Sequence, residues 1–375
     1  MEEPIETTVK ANDESVDDDQ PVEGKSHGLT RFEKYLYIWV GACMIAGIAL
    51  SQAFPTLISV LDSWKVGDIS VPIGICLFLM MYPAMLNVKG SELRKVGKNP
   101  KPILLTLISN WLVAPVVGAL LSALFLHGND QLVVAVILLS SSPCTAMVLV
   151  WGYLAGGNQE QNVINTSLNT ITIMVGYAPL VSLLTGIQDI GIDWISLAVS
   201  VLVFIGIPLI LGYISKRVLT SKKGEEWFNE VYKPVVGKIA IVALLTTLVV
   251  LFTLNGNLLI KHPDKLVLVS IPLLLGFFIV VGYNLIVTRL VGLKYRQAII
   301  TVIIGSSSHF EIAIATAITM FGVGSIAALG TTMGLFWEVP IMLGLVYMGK
   351  FLERRGFWQS DPSDERFKTR DTGDT

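Results

Sequence analysis

The sequence predicts an all-α polytopic membrane protein with ten transmembrane helices, arranged as two inverted five-helix repeats in which the fourth and ninth helices are broken. Three observations lead to this fold class. Apolar residues make up 53% of the 375 residues, charged residues only 15%, and the mean hydropathy is +0.65, whereas a soluble domain carries about 25% charged residues. Ten apolar stretches each approach the roughly 20 residues that span a bilayer core. Basic residues lie mostly in one of the two sets of loops between these stretches.

The ten apolar stretches define the predicted helices. Their continuous apolar character favours helices, because transmembrane strands alternate apolar and polar residues over about ten positions. The second stretch is short, and the fourth and ninth contain polar interruptions. The predicted spans are 35–54, 69–87, 102–126, 131–151, 161–185, 194–215, 235–255, 266–288, 297–321 and 325–349.

Charge and composition divide the rest of the chain. Residues 1–30 contain nine acidic residues and almost no apolar periodicity, so we expect a disordered acidic cytoplasmic tail. A charged loop at 216–234 is predicted to link a first five-helix repeat, 31–215, to a second, 235–355. Because five is odd, related halves would be inverted in the membrane, as in many secondary transporters. Residues 356–375 are predicted to form a second cytoplasmic tail.

The distribution of basic residues predicts the orientation. One set of loops carries 19 lysines and arginines, and the other carries only Lys65, Lys261 and Lys265. The positive-inside rule therefore places both termini in the cytoplasm, and we expect a multi-pass protein of the plasma membrane in contact with lipid. The formal net charge of −2 excludes a nucleic-acid partner. Whether the chain forms a homo-oligomer stays open.

Enzyme motifs and resident cofactors are not predicted. The three cysteines lie in apolar runs, and the four histidines are scattered, so neither a disulfide framework nor a cysteine-rich metal site is expected. The sequence contains no GxSxG or HExxH constellation. We therefore expect a transporter rather than an intramembrane enzyme or a receptor.

Two serine triplets interrupt apolar stretches at matching positions. Ser140-Ser141-Ser142-Pro143 lies in span four, and Ser306-Ser307-Ser308 lies in span nine. Serine hydroxyls compete for helical backbone groups, and proline removes a donor. Unwound backbone at membrane depth is tolerated only where it lines a cavity or is packed inside protein, so the pair predicts a substrate site. The alternative is that the serines merely allow helices to approach closely.

Three ionisable side chains lie well inside the predicted membrane core: His309, Glu311 and Glu338. Charges at this depth are costly, so each is a candidate for binding a coupling ion or proton. The alternative for either glutamate is a protonated packing residue. Cys144 adjoins the first break, where a thiol would face a polar cavity and could bind a soft centre. Cys43 and Cys76 are expected to be apolar filler.

Several short motifs occur in order over roughly residues 31–355. They are Leu79-Met80-Met81-Tyr82-Pro83, Asn110-Trp111, Pro143-Cys144-Thr145-Ala146-Met147-Val148-Leu149-Val150-Trp151, Leu168-Asn169-Thr170, Phe310-Glu311-Ile312-Ala313-Ile314-Ala315 and Glu338-Val339-Pro340. In these motifs the sequence resembles the arsenite efflux permeases, the arsenical-resistance carriers of the bile acid/arsenite/riboflavin transporter superfamily.

The resemblance implies a panel domain and a core domain, with two broken helices that cross in the core. It also implies that the family's essential thiol falls on Cys144, its essential glutamate on Glu338 and its span-five asparagine on Asn169. Together with Ser142 and Ser308 of the breaks, these residues form the predicted substrate site. There is one departure: the family commonly has asparagine where His309 stands, which leaves the coupling-ion site open.

Two functions follow as alternatives. The first is export of arsenite, and of antimonite, coupled to protons or to the membrane potential. The second is a sodium-coupled organic-anion symporter of the bile-acid type, in which Glu311 and the serine-rich crossing would bind Na⁺ through oxygen ligands. Cys144 discriminates between them, because a soft As(III) centre uses a thiol and a hard cation does not.

Overall fold

The computed structural model describes residues 36–54, 56, 60, 63–66, 69–87, 99–261, 263–322 and 324–359. The predicted acidic tail, 1–30, lies outside them, as do the basic loop residues 88–98 and the tail residues 360–375. The main helices are α1 (Leu36–Ala53), α2 (Val71–Leu86), α3 (Pro100–Phe125), α4 (Asp130–Ser140), α5 (Met147–Leu154), α6 (Gln159–Ile187), α7 (Trp194–Lys223), α8 (Lys233–Lys261), α9 (Pro263–Leu290), α10 (Tyr295–Gly305), α11 (Phe310–Phe321) and α12 (Ile326–Arg354).

Short irregular pieces interrupt this helical pattern. The helices α3 and α7 contain π-helical turns at Ser109–Val113 and Leu202–Gly206. The segment Glu225–Trp227 and a π-helical turn at Phe228–Tyr232 lead into α8. Between α1 and α2, two two-residue strands pair antiparallel, with Lys65 opposite Ser70 and Val66 opposite Ile69. They are a small exception to the all-α prediction.

Each predicted span coincides with one helix or with one broken pair of helices. Within the described residues, six helices are by themselves long and apolar enough to cross a membrane: Pro100–Phe125, Gln159–Ile187, Trp194–Lys223, Glu225–Gly256, Pro263–Leu290 and Ile326–Arg354. The helices α1 and α2 are shorter, with 18 and 16 residues. The chain is thus a helical, multi-pass membrane protein, while ten crossings and the inverted repeat remain predictions.

The breaks predicted at the serine triplets are confirmed. The helix α4 ends at Ser140 and α5 begins at Met147, while α10 ends at Gly305 and α11 begins at Phe310. In the first break the Ser142 hydroxyl donates to the carbonyl oxygen of Leu139 at 2.9 Å, and Pro143 offers no N–H to continue the helix.

The helices pack in two groups. The panel group contains α1, α2, α7 and α8, in which α8 lies against both α1 and α2 and α7 lies against α2. Gly47 permits a close approach of α1 to α8, because a methyl group there would lie 2.6 Å from Cβ of Phe252. The core group contains α3–α6 and α9–α12, in which α4 packs against α3 and α12, and α9 packs against α3 and α10. Both broken pairs belong to the core group.

The predicted repeat boundary does not divide the helices equally. Six predicted spans precede residue 216 and four follow it, and most of 216–234 is helical rather than a linker. Five predicted spans lie on each side of the loop between α6 and α7. In each of these halves the first two spans belong to the panel group and the last three belong to the core group. The predicted tail also begins too early, because Trp358 is buried and its Nε1 donates to Oγ1 of Thr288 at 3.1 Å.

Apolar side chains cover much of the outer surface. Leu120 on α3, Val175 on α6 and Phe278 on α9 are each more than 60% exposed. Exposed apolar side chains on successive turns of long helices are unusual on a protein surrounded by water. They suit contact with lipid tails, in agreement with the multi-pass fold.

Candidate substrate site where the two breaks meet

The two helix breaks contact each other through their backbones. Pro143 and Ser308 form an isolated antiparallel bridge. The backbone N–H of His309 donates to the carbonyl oxygen of Ser142 at 2.7 Å, and the Ser142 hydroxyl donates to the carbonyl oxygen of His309 at 3.2 Å. Each break therefore supplies partners for backbone groups that the other leaves without a helical bond.

Cys144 lies directly after this bridge and is 3% exposed. Its carbonyl oxygen accepts a hydrogen bond from Nδ2 of Asn169 at 3.1 Å, and Oδ1 of Asn169 accepts one from Nδ2 of Asn110 at 3.3 Å. The Asn169 amide is thus engaged at both ends by protein groups. It holds the backbone that carries the thiol.

Glu338 approaches the second break from α12. Its Oε1 accepts from the backbone N–H of Ser308 at 3.2 Å, and its Oε2 accepts from the Ser308 hydroxyl at 3.0 Å. The Ser307 hydroxyl lies close enough to interact with this carboxyl group and with the Cys144 thiol, but within the described residues it forms no hydrogen bond of regular geometry. The Ser307 hydroxyl is thus a buried polar group at the second break whose hydrogen-bonding capacity is unused among the described residues.

Two small cavities adjoin this arrangement. One has a volume of about 50 Å³ and is lined by Glu338, Trp337 and Ser308 among others. The other, about 90 Å³, is lined by all three serines of the second triplet and by Ser140 of the first. Both cavities border Ser308, so the space around the breaks is small and polar on one side.

His309 and Glu311 form a buried pair beside the bridge. Nδ1 of His309 lies 2.8 Å from Oε2 of Glu311, and Nε2 lies 2.7 Å from Oγ1 of Thr145. A threonine hydroxyl can donate to a neutral imidazole nitrogen or accept from a protonated one. The imidazole therefore has a hydrogen-bond partner at each of its two ring nitrogens.

The structure brings the predicted site residues together around the bridge. Ser142, Cys144, Asn169, Ser308, His309, Glu311 and Glu338 all contribute side chains there, and only Ser308 among them is half-buried rather than buried. Cys43 on α1 and Cys76 on α2 are half-buried and belong to the panel group. Among the described residues, no three His, Cys, Asp or Glu side chains form a cluster able to hold a metal ion.

Sequence reasoning missed some of the residues that support the site. Thr145 belongs to one of the family motifs, but the motif did not predict that its hydroxyl contacts His309. Asn284 donates from Nδ2 to Oγ of Ser109 at 2.8 Å and to Oγ of Ser306 at 3.1 Å, and Ser109 donates to the carbonyl oxygen of Gly305 at 2.7 Å. The polar residues scattered within otherwise apolar spans are the signal that could have identified Asn284 and Ser109.

Comparison with known proteins gives the family. The chain matches the sodium bile acid symporter family over residues 74–262. It is 36% identical to arsenical-resistance protein Acr3 of Alkaliphilus metalliredigens, over 90% of this chain and 96% of that protein. The chain belongs to the arsenite efflux permease family. A second Acr3 arsenical-resistance protein, from Corynebacterium glutamicum, is 31% identical over 88% of this chain and 92% of its own length.

An uncharacterized transporter of Synechocystis is similar to this permease as well. The two are 38% identical over 88% of this chain and 90% of the cyanobacterial protein. Family membership and the apolar helices together make the permease a membrane transporter. They agree with the expectation that it is not an enzyme.

Proposed function

We propose that the permease exports arsenite, and also antimonite, from the cytoplasm across the plasma membrane. The observation that carries the proposal is the position of Cys144, a buried thiol at the meeting of two helix breaks with the Glu338 carboxyl group nearby. Two relatives that match over most of their length are arsenical-resistance proteins, which supports the same substrate.

A single thiol suits a carrier of As(III). Arsenic(III) is a soft centre, and thiols are soft ligands. In the proposed step the Cys144 sulfur replaces one hydroxyl of As(OH)₃: an S–As bond forms, an As–O bond breaks, and the thiol proton leaves with the hydroxyl as water. Attack by water reverses the step on the other side of the membrane. One such bond is exchangeable, so the substrate can be released.

Oxygen groups beside the thiol take the remaining hydroxyls. Glu338 accepts hydrogen bonds from As–OH groups, beside the Ser308 hydroxyl that donates to it and the unpartnered Ser307 hydroxyl. Asn169 positions the Cys144 backbone rather than contacting the substrate first. The cavities have volumes of about 90 and 50 Å³. These volumes suit As(OH)₃, which has four heavy atoms, better than a drug-sized ligand, which needs about 300 Å³ or more.

Proton coupling is assigned to the carboxyl groups and the imidazole. Glu338 lines the cavity of about 50 Å³ beside the second break, and in this proposal a proton on it and a substrate at Cys144 influence each other. The pair of His309 and Glu311 carries a second exchangeable proton, because Thr145 accommodates either protonation state. Buried ionisable groups of this kind are typical of proton-coupled carriers.

Sodium-coupled transport of an organic anion has less support. In that alternative Glu311 would bind Na⁺, but its carboxylate is engaged by His309. The cavities at the breaks are also small for a bile-acid-sized anion. The thiol of Cys144 would have no role in such a protein.

Arsenite uptake into everted membrane vesicles tests the proposal. Vesicles from cells that express the permease are given a pH gradient or a sodium gradient in turn. We expect arsenite to accumulate with the pH gradient or the membrane potential and to be indifferent to sodium. Accumulation that requires sodium, or uptake of an organic anion without arsenite, would favour the alternative.

A further inference from the structure

A row of buried amide side chains leads along α6 toward Cys144. Gln161, Asn162, Asn165 and Asn169 lie on one face of the helix, and each is at most 5% exposed. At 1.5 Å per residue, the row extends about 12 Å along the helix axis. Its far end reaches Asn169, whose amide holds the Cys144 carbonyl group.

The near end of the row opens into a separate polar cavity. This cavity has a volume of about 70 Å³, and its lining includes Asn99, Asn158, Glu160, Gln161 and Gln297. The loop between α5 and α6 belongs to the side of the membrane that the charge distribution predicts to be cytoplasmic. An exporter would load its substrate from this side.

Hydrogen bonds fix which way each amide points. Nε2 of Gln161 donates to the carbonyl oxygen of Gln297 at 3.2 Å, and Nδ2 of Asn162 donates to the carbonyl oxygen of Val148 at 3.3 Å. A carbonyl oxygen can only accept, so both amide nitrogens are assigned without ambiguity.

The third amide is fixed through a hydroxyl group. Nδ2 of Asn165 lies 3.2 Å from Oγ1 of Thr106. Because the Thr106 hydroxyl donates its own proton to the carbonyl oxygen of Pro102 at 2.9 Å, it accepts from Asn165. The nitrogen ends of all three amides are therefore occupied by protein acceptors.

The oxygen ends of the same three amides are unpaired. Within the described residues, Oε1 of Gln161, Oδ1 of Asn162 and Oδ1 of Asn165 have no hydrogen-bond partner, although all three are buried. An unpaired buried acceptor costs about 1–3 kcal/mol. Three of them within two turns of one helix indicate a feature that uses them, and that feature must supply hydrogen-bond donors.

The charge around the row selects the kind of donor. Among the described residues that line the cavity there is no lysine or arginine. An anion would therefore meet the acceptor oxygens of the row without a positive side chain from this lining. A neutral molecule with O–H groups could donate a hydrogen bond to each of these acceptors. Arsenous acid is such a molecule, because it has three hydroxyl groups and is a weak acid.

We propose that the row of Gln161, Asn162 and Asn165 is the access path along which the neutral trihydroxide substrate passes from the cytoplasmic face to Cys144, donating its hydroxyl protons to successive amide oxygens. This inference rests on the proposed function for the substrate. It assigns the form in which that substrate enters and the residues that receive it before the thiol does.

Thiol labelling tests whether the path is open, independently of transport. Asn165→Cys and Val163→Cys are placed in a background that carries Cys43→Ser and Cys76→Ser, and labelling of this parent gives the contribution of Cys144. Val163 is a matched control, because it is half-buried in the same turn on another face. We expect a membrane-impermeant methanethiosulfonate to label position 165 in everted vesicles, but not position 163. Equal or absent labelling at both positions would overturn the path.

Transport kinetics test what moves along it. Asn165→Leu removes the acceptor, and we expect the KM for arsenite to rise about two- to tenfold, the equivalent of one hydrogen bond, with little change in kcat. Asn165→Asp keeps an acceptor and should stay near the wild-type KM. A higher KM for Asp than for Leu would mean that an anion enters, and an unchanged KM for Leu would mean that the row holds ordered water only. Either result would overturn the proposal.

The two failures remain distinguishable. If wild-type vesicles accumulate no arsenite, the proposed function and the substrate assigned to the path fall together, whatever position 165 shows. If arsenite accumulates but position 165 is unlabelled, the proposed function stands and only the path is lost.

Discussion

Each of the two helix breaks begins at three consecutive serines, but the other residues of the two breaks differ in chemistry. The first break contains Pro143 and the Cys144 thiol, with no acidic or basic side chain among its own residues. The second contains no proline, and it places His309 at its end and Glu311 in the first turn of α11. The soft ligand thus belongs to one break and the proton-carrying groups to the other, and Pro143 and Ser308 join them.

The breaks also differ in what ends the helix before them. Pro143 cannot continue α4 because it has no N–H. In the second break, polar side chains of neighbouring helices bond to the residues at which α10 ends. Ser109 of α3 donates to the carbonyl oxygen of Gly305, and Asn284 of α9 donates to the Ser306 hydroxyl. A serine triplet can therefore end a membrane helix either through its own sequence or through polar side chains on neighbouring helices.

Removing the thiol from the first break should have the largest effect. Cys144→Ser keeps the size and polarity of the side chain but removes the soft ligand, so we expect arsenite transport to fall to background in everted vesicles. The protein should still insert and fold, which its thermal midpoint in detergent would show. Cys43→Ser and Cys76→Ser are controls outside the site and should transport normally. Full arsenite resistance of cells with Cys144→Ser would remove the thiol from the mechanism.

Removing the proton site that contacts the second break should separate binding from accumulation. Glu338→Gln keeps the shape and one oxygen that can accept from the Ser308 N–H, and its amide nitrogen can donate to the Ser308 hydroxyl, but the side chain cannot titrate. We expect weak arsenite binding, no transport against a gradient and no response of the residual flux to pH. Glu311→Gln should cause a milder defect. Concentrative transport by Glu338→Gln with an unchanged pH profile would leave Glu311 as the buried carboxyl group available for coupling within the described core.

Breaking the pair of His309 and Glu311 should mainly affect stability. His309→Leu leaves the Glu311 carboxylate buried without its closest partner, and we expect the free energy of unfolding to fall by about 3–5 kcal/mol. The double variant His309→Leu/Glu311→Leu should recover much of this loss, as a thermal-denaturation cycle would show. Additive losses in that cycle would mean that the two side chains do not interact.

The smallest effect is expected at the side-chain hydrogen bond between Thr145 of the first break and His309 of the second. Thr145→Val removes the hydroxyl that contacts Nε2 of His309, and we expect a loss of about 1 kcal/mol together with a shifted pH profile of transport. Thr172→Val is a control of the same chemistry, because that hydroxyl bonds only to carbonyl groups of its own helix among the hydrogen bonds described. Identical pH profiles for both variants would separate Thr145 from proton coupling.

The sequence predicted the features that depend on local patterns. Continuous apolar runs identified the spans, and the serine triplets identified both breaks, because each signal lies within one segment of the chain. The repeat boundary was misplaced since the charge of 216–234 suggested a linker, whereas α7 continues through Lys223. Asn284 and Ser109 were missed because their role depends on the packing of α3, α9 and α10, which no single segment reveals.

The account depends most on a single sulfur ligand contributed by the first break. X-ray absorption at the arsenic edge, measured on purified permease loaded with arsenite, reports the atoms bound to arsenic directly. We predict one sulfur with oxygen neighbours in the wild-type protein, and oxygen neighbours only after Cys144→Ser. Oxygen neighbours alone in the wild type, or two or three sulfurs per arsenic, would contradict a site built on one thiol at the meeting of the two breaks.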